Sequence, residues 1–254
     1  MIKGTYLDKN MNCKKILFLD ILTGDDALRE SIERAVYGGK TYGEQMREMA
    51  DLAPSEFVSL DASKGDLPDP GDFRAVIIGG SVEDPIEGLE KGWMFPVYEF
   101  IKRIFEKDTP TLGICGGLQF TVRALGGEVV KNPEGREFGT LKVSLTEEGK
   151  RDFLFEGLEK DLILSESHKC IAYALKDGWT LLAGSRKTPI EAIGIGNNIR
   201  LTQFHPEMNL EIVRRLADSR KKVFAEEGFV LSPFADTEEV GRKILSNFLR
   251  RFPD

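Results

Sequence analysis

The segment TLGICGGLQFTVRALGG, Thr111 to Gly127, sets one cysteine between glycines, after an apolar run and before a helix-like run. A strand entering Gly113-Ile114-Cys115-Gly116-Gly117 and leaving into LQFTVRALGG has the form of a nucleophile elbow, where a reactive side chain tops a steep strand-to-helix turn. Glycines flank such a residue because a Cβ on either side would collide with backbone or obstruct a substrate. A helix N-terminus also favours the thiolate, the attacking form, through its unpaired N–H groups and dipole. Most free cysteines are small buried apolar residues. The context of Cys115 selects nucleophilic chemistry instead, and a thiol lifted into the open.

A cysteine nucleophile needs a base, and the chain holds two histidines, His168 and His205. His205 lies in LTQFHPEM, where Pro206 keeps the preceding residue extended. In an extended segment residues two apart face the same side, so Glu207 falls beside His205. A carboxylate there fixes the imidazole tautomer and balances the imidazolium that forms when the thiol loses its proton. Cys115, His205 and Glu207 are therefore the expected nucleophile, base and orienter. A lone histidine at a strand end is more often structural, and His168 receives no acid–base role.

These residues need a scaffold. KKILFLD (Lys14 to Asp20), FVSL (Phe57 to Leu60), AVIIGG (Ala75 to Gly80) and TLGIC (Thr111 to Cys115) read as buried parallel strands. Amphipathic stretches lie between them: 29–50, interrupted at Gly38-Gly39, and 93–105, with Val97, Ile101, Ile104 and Phe105 at helical spacing. This alternation is the α/β pattern. After Gly127 come GEVV, TLKVSLT, DLILSES, CIAYAL, WTLLAGS, IEAIGIG and IRLTQFH, expected to extend the sheet. DTEEVGRKILSNFLRRF closes as a packed helix opened by a capping box of Asp236 and Glu239.

Composition narrows the chemistry further. The 254 residues, 41% of them hydrophobic, can bury a substantial core, and 35 basic against 42 acidic residues, interspersed, leave no basic block for a nucleic acid. No stretch has the length of a membrane span or the form of a signal peptide, so a cytoplasmic protein is expected. Cys13, Cys115 and Cys170 are odd in number and lack CxxC spacing, so neither disulfides nor a metal site is indicated, and Cys13 and Cys170 are expected to be chemically silent.

GICGGLQ, REFG (Arg136 to Gly139), LFEGL (Leu154 to Leu158), ESHK (Glu166 to Lys169) and QFHPE (Gln203 to Glu207) follow in order. Together they resemble the class I glutamine amidotransferases, especially the glutaminase domain of GMP synthetase. The resemblance runs from about Lys15 to about Glu207. It implies a flavodoxin-like, doubly wound, mostly parallel sheet with helices on both faces, in a single domain over 1–254 without a cofactor. It implies that Cys115 attacks the side-chain amide of glutamine, forms a γ-glutamyl thioester and releases ammonia, with His205 as base and acid. It places oxyanion donors at Gly80 and Gly116, and substrate contacts at Gln119, Ser167 and His168. Two departures stand out: Ser81-Val82-Glu83-Asp84 replaces a proline-containing loop, and residue 116 is glycine rather than a larger residue. No synthase domain follows, and the segments near 29–54 and 209–234 exceed the minimal domain.

Three readings follow, in this order of preference. The first is a glutaminase handing ammonia to an acceptor on another protein, a separate synthase. The second is a γ-glutamyl hydrolase of amines or peptides, for which the same three residues serve and whose elbow also reads GxCxGLQ. The third is a non-catalytic regulatory protein, which retention of Cys115, His205 and Glu207 disfavours. A pocket that excludes all but an amide favours the first, and a cleft open toward the leaving group favours the second.

Overall fold

Four apolar runs make the parallel centre of the molecule: β1 (Ile16–Asp20), β2 (Phe57–Asp61), β3 (Ala75–Ile78) and β4 (Thr111–Ile114). The computed structural model describes residues 14–253, so Cys13 lies outside it. Every residue of β1, β3 and β4 is buried, as strands covered on both faces require, whereas edge strand β2 is partly exposed.

The later strands are β5 (Val129–Lys131), β6 (Glu137–Leu145), β7 (Asp161–His168), β8 (Cys170–Ala172), β9 (Trp179–Gly184), β10 (Ala192–Ile195) and β11 (Ile199–Thr202). The main sheet has the order β2-β1-β3-β4-β11-β10-β9-β6-β7. It is parallel from β2 to β11 and antiparallel from β11 to β7. β5 and β8 pair with each other in a separate two-stranded sheet, so GEVV and CIAYAL do not extend the main one. The return of β11 to the side of β4 is the step that matters for chemistry, because it brings the end of IRLTQFH against the end of TLGIC.

Alternation along β1 feeds two cores. Ile16 and Phe18 join one with Met46, Val213 and Phe248; Leu17 and Leu19 join the other with Phe100, Ile101 and Leu118. The first is covered by α2 (Tyr42–Met49), α5 (Leu210–Ser219) and α7 (Glu238–Arg251), the second by α3 (Met94–Lys107) and α4 (Gly116–Ala124). Helices on both faces of a mostly parallel sheet are the doubly wound arrangement. Gly38 and Gly39, both at positive φ, separate α1 (Asp26–Ala35) from α2, whose start is a capping box of Thr41 and Glu44. The box expected at Asp236 and Glu239 is absent. Thr237 is the residue before α7, and its hydroxyl lies 2.8 Å from Ser165 Oγ rather than capping the helix, while Asp236 Oδ1 accepts only the Glu238 N–H. Among the described residues no helix is long and apolar enough to cross a membrane.

Candidate active site

Cys115 sits between β4 and α4 with φ +50° and ψ −96°, a conformation seldom adopted by a residue with a side chain. The turn is held by its neighbours: the Cys115 N–H donates to Thr202 O at 2.7 Å and the Gly117 N–H to Gly79 O at 2.9 Å. A Cβ on Gly117 would lie 2.4 Å from Ile78 O, and one on Gly116 would lie 2.5 Å from Ser81 N. Both glycines are thus required by close backbone approach. The thiol is not in the open as expected: Cys115 is 4% exposed. The chain leaving β11 covers it, with Gln203 Nε2 donating toward Sγ at 3.5 Å.

His205 and Glu207 do stand side by side, Nδ1 lying 2.7 Å from Oε1. Tyr42 joins them from α2. Its hydroxyl accepts the Gly80 N–H at 2.8 Å and donates to Glu207 Oε1 at 2.8 Å, while Gln45 Nε2 donates to Glu207 O at 3.3 Å. Burial raises the Tyr42 phenol well above 10, and the negative charge of Glu207 adds to this, so the hydroxyl keeps its proton as donor. Burial by itself lowers His205, but the charges of Glu207 and Cys115 outweigh it and hold the imidazole well above 6.5. Its Nε2 makes no hydrogen bond.

The other expected site residues are dispersed differently. The Gly80 N–H donates to the Tyr42 hydroxyl, so it is not free for an oxyanion; Ser81 N packs against Gly116 beside the elbow. Gln119 donates both amide hydrogens to protein, to Cys170 O at 2.8 Å and Gln203 Oε1 at 3.3 Å, and so holds Gln203 against the thiol. Ser167 lies in the cavity described below, its hydroxyl accepting from Arg220 at 2.7 Å. His168 does not line that cavity. It is buried with Glu137, Glu166 and Glu191, where burial lowers its pKa, raises Glu166 to about 8 and holds Glu191 well above the usual carboxylate range. Cys170 is fully buried, and that burial pushes its thiol up to about 12, as an unreactive cysteine requires.

A cavity of about 310 Å³ opens beside His205, Gly80 and Ser81. Its walls are Leu28, Ile32 and Ala35 of α1, Leu216 of α5, and Leu22, Val36 and Val82, with Arg220 as the cation among them. The segments 29–54 and 209–234 therefore build the cavity. Tyr42 and Arg220 escaped sequence reasoning, because nothing near either residue marks a contact with partners more than fifty positions away.

The sequence model of the family described as "Glutamine amidotransferase class-I" matches residues 44–215. Gamma-glutamyl peptidase 4 of Arabidopsis thaliana is 26% identical over 236 residues, spanning 85% of this chain and 92% of that protein. A glutamine-hydrolyzing GMP synthase subunit of Sulfurisphaera tokodaii is 31% identical over 157 residues, 59% of this chain and 79% of that protein. A crystal structure of a glutamine amidotransferase from Thermotoga maritima superposes with a TM-score of 0.72 at 20% identity, covering 94% of this chain and 98% of the other. With the elbow, the doubly wound sheet and a match across most of its length, the chain belongs to the class I glutamine amidotransferase family.

Proposed function

We propose that the protein hydrolyses the γ-glutamyl amide bond of conjugates whose amine is larger than ammonia, through a γ-glutamyl thioester on Cys115. The observation that carries this is the cavity. A leaving group must sit against the acid that protonates it, and the space beside His205 is about 310 Å³, roughly ten times the share of one water-sized molecule. Leu28, Ile32 and Ala35 make its α1 wall largely apolar, with Ser31 as the one polar residue there, which suits a carbon substituent better than ammonia. Similarity along nearly the whole length of a gamma-glutamyl peptidase supports the same reading.

In this mechanism the Cys115 thiolate attacks the γ-carbonyl carbon. The carbonyl oxygen becomes an oxyanion received by the Gly116 and Ser81 amides. His205, protonated and held by Glu207, gives its Nε2 proton to the departing amine as the C–N bond breaks. A water then attacks the thioester, His205 takes its proton, and the C–S bond breaks to release glutamate and restore the thiolate. Arg220, bonded to Ser167, supplies the charge for a substrate carboxylate. On this reading 1–254 is one catalytic domain, and the segments near 29–54 and 209–234 are its substrate walls.

Similarity to a GMP synthase subunit favours a second reading, in which glutamine is the substrate and ammonia passes to a separate synthase. Mass spectrometry of products from γ-glutamyl amines, γ-glutamyl peptides and glutamine decides between them. Preferred release of free amine plus glutamate supports the first; turnover of glutamine alone overturns it.

A further inference from the structure

Beside the candidate active site lies a second group of chemically capable side chains. Glu166 and His168 project from β7, and Glu191 stands just before β10. One ligand-type atom from each lies within 4.8 Å of the others. All three residues are at least 95% buried. Neither ring nitrogen of His168, and no carboxylate oxygen of Glu166 or Glu191, makes a hydrogen bond. His168 Nε2 approaches Glu166 Oε2 to 3.2 Å without the alignment of one.

Six polar atoms buried together without a protein hydrogen-bond partner are expensive. A buried donor or acceptor without a partner costs about 1–3 kcal/mol, and more when charged. A proton held between the two carboxyls removes charge and bridges one pair of oxygens, and the Cys170 backbone and Ser185 lie near the imidazole and Glu191, but none of these contacts engages all three side chains at once. A cation between the three side chains answers them together.

We propose that Glu166, His168 and Glu191 bind one first-row divalent metal ion, with Zn²⁺ the best match. One imidazole and two carboxylates are the mixed N/O set that Zn²⁺ accepts. Ligand atoms about 2.0–2.2 Å from a common ion lie no more than about 4 Å from one another, so a contraction of roughly 1 Å from the present spread completes the site. Glu137 stands at the edge of the group: its Oε2 accepts from the Thr188 hydroxyl and lies 3.7 Å from His168 Nε2, adding a third carboxylate beside the imidazole. The backbone ties the site to the candidate active site. The Gln203 N–H donates to Glu191 O and the His205 N–H to Ser165 O, both at 2.8 Å, so an ion joining β7 to the residue that leads into β10 braces the segment that carries Gln203 and His205. This role is structural and independent of which γ-glutamyl compound is the substrate.

The test uses the full chain with Cys115→Ala, so that the thiol beside His205 cannot capture metal. After dialysis against a chelator and equilibration with ZnCl₂, elemental analysis should find one equivalent bound and thermal melting should shift upward. Glu191→Gln in the same background should weaken binding by more than about 100-fold, beyond what loss of a supporting hydrogen bond costs. Circular dichroism checks that this variant folds. If it does not, CoCl₂ added to the Cys115→Ala protein should give ligand-field bands without a thiolate charge-transfer band, since no cysteine belongs to the set. Absence of bound Zn²⁺, equal binding by folded Glu191→Gln, or a thiolate band with Co²⁺ each overturns the proposal.

Discussion

Glu207 Oε1 receives both the His205 imidazole and the Tyr42 hydroxyl, so one oxygen orients the proposed base and is itself oriented. Glu207→Gln keeps the shape and removes the charge. Single-turnover acylation should then slow by about 10² to 10⁴, by analogy with other triads. Tyr42→Phe removes one neutral donor and leaves the Gly80 amide unpaired. A hydrogen bond to a charged acceptor is worth about 1.5–3 kcal/mol, which corresponds to a loss of about 10- to 150-fold. A Glu207→Gln variant that acylates at the wild-type rate would reduce the unit to a Cys–His dyad. The same oxygen sets the charge on His205. Because the folded imidazole is held well above 6.5, its stabilising contribution is complete below about 6.5 and is lost as pH rises through the folded value. In ¹⁵N-NMR titration, the imidazole signal that His205→Asn removes should remain protonated well above 6.5 in the wild type, and its midpoint should fall in Glu207→Gln. An unchanged midpoint would show that Glu207 does not supply the attraction.

At the scale of elements, the elbow is a matter of clearance between backbones. Gly117→Ala places a methyl 2.4 Å from the Ile78 carbonyl oxygen, an atom fixed in the sheet, whereas Gly92→Ala meets nothing within 4 Å. The first should lower thermal stability by an overpacking penalty of about 1–3 kcal/mol and lose acylation with it; the second should leave both unchanged, and equal melting curves would refute the argument. This clearance was legible in GICGG because a strand, a sharp turn and a helix leave a local signature. The same holds for His205 and Glu207, which are two positions apart in an extended segment. Tyr42, Gln45 and Arg220 had no such signature. Their partners are distant in sequence, and only the packing of α2 and the turn after α5 against the sheet brings them in. The capping box at Asp236 failed for a related reason, since Thr237 faces Ser165 and a tertiary contact displaced the local one.

Across the whole molecule, the proposed function assigns the attacked bond to the sheet and the elbow, and what is attached to that bond to the additions around them. KKILFLD, AVIIGG and TLGIC read correctly as buried parallel strands because fully buried strands are continuously apolar, whereas FVSL is a parallel strand but, at the sheet edge, a partly exposed one. The assembly of α1, α5 and Arg220 into one cavity could not be read that way, because each faces solvent on one side and shows only ordinary amphipathic periodicity. That cavity yields a test that separates leaving groups. Ser31 lines it from α1, and Ser31→Phe fills space next to the substituent while leaving the Cys115, His205 and Glu207 geometry untouched. A γ-glutamyl anilide should lose kcat/KM by about 10- to 200-fold, the range that hydrophobic pocket fit commands, chiefly through KM. Turnover of glutamine, whose leaving group ends at nitrogen, should stay within about twofold, the noise of a surface substitution. Parallel loss for both compounds would mean that the cavity receives the glutamyl half common to them, and the size of the amine would then have no bearing on specificity.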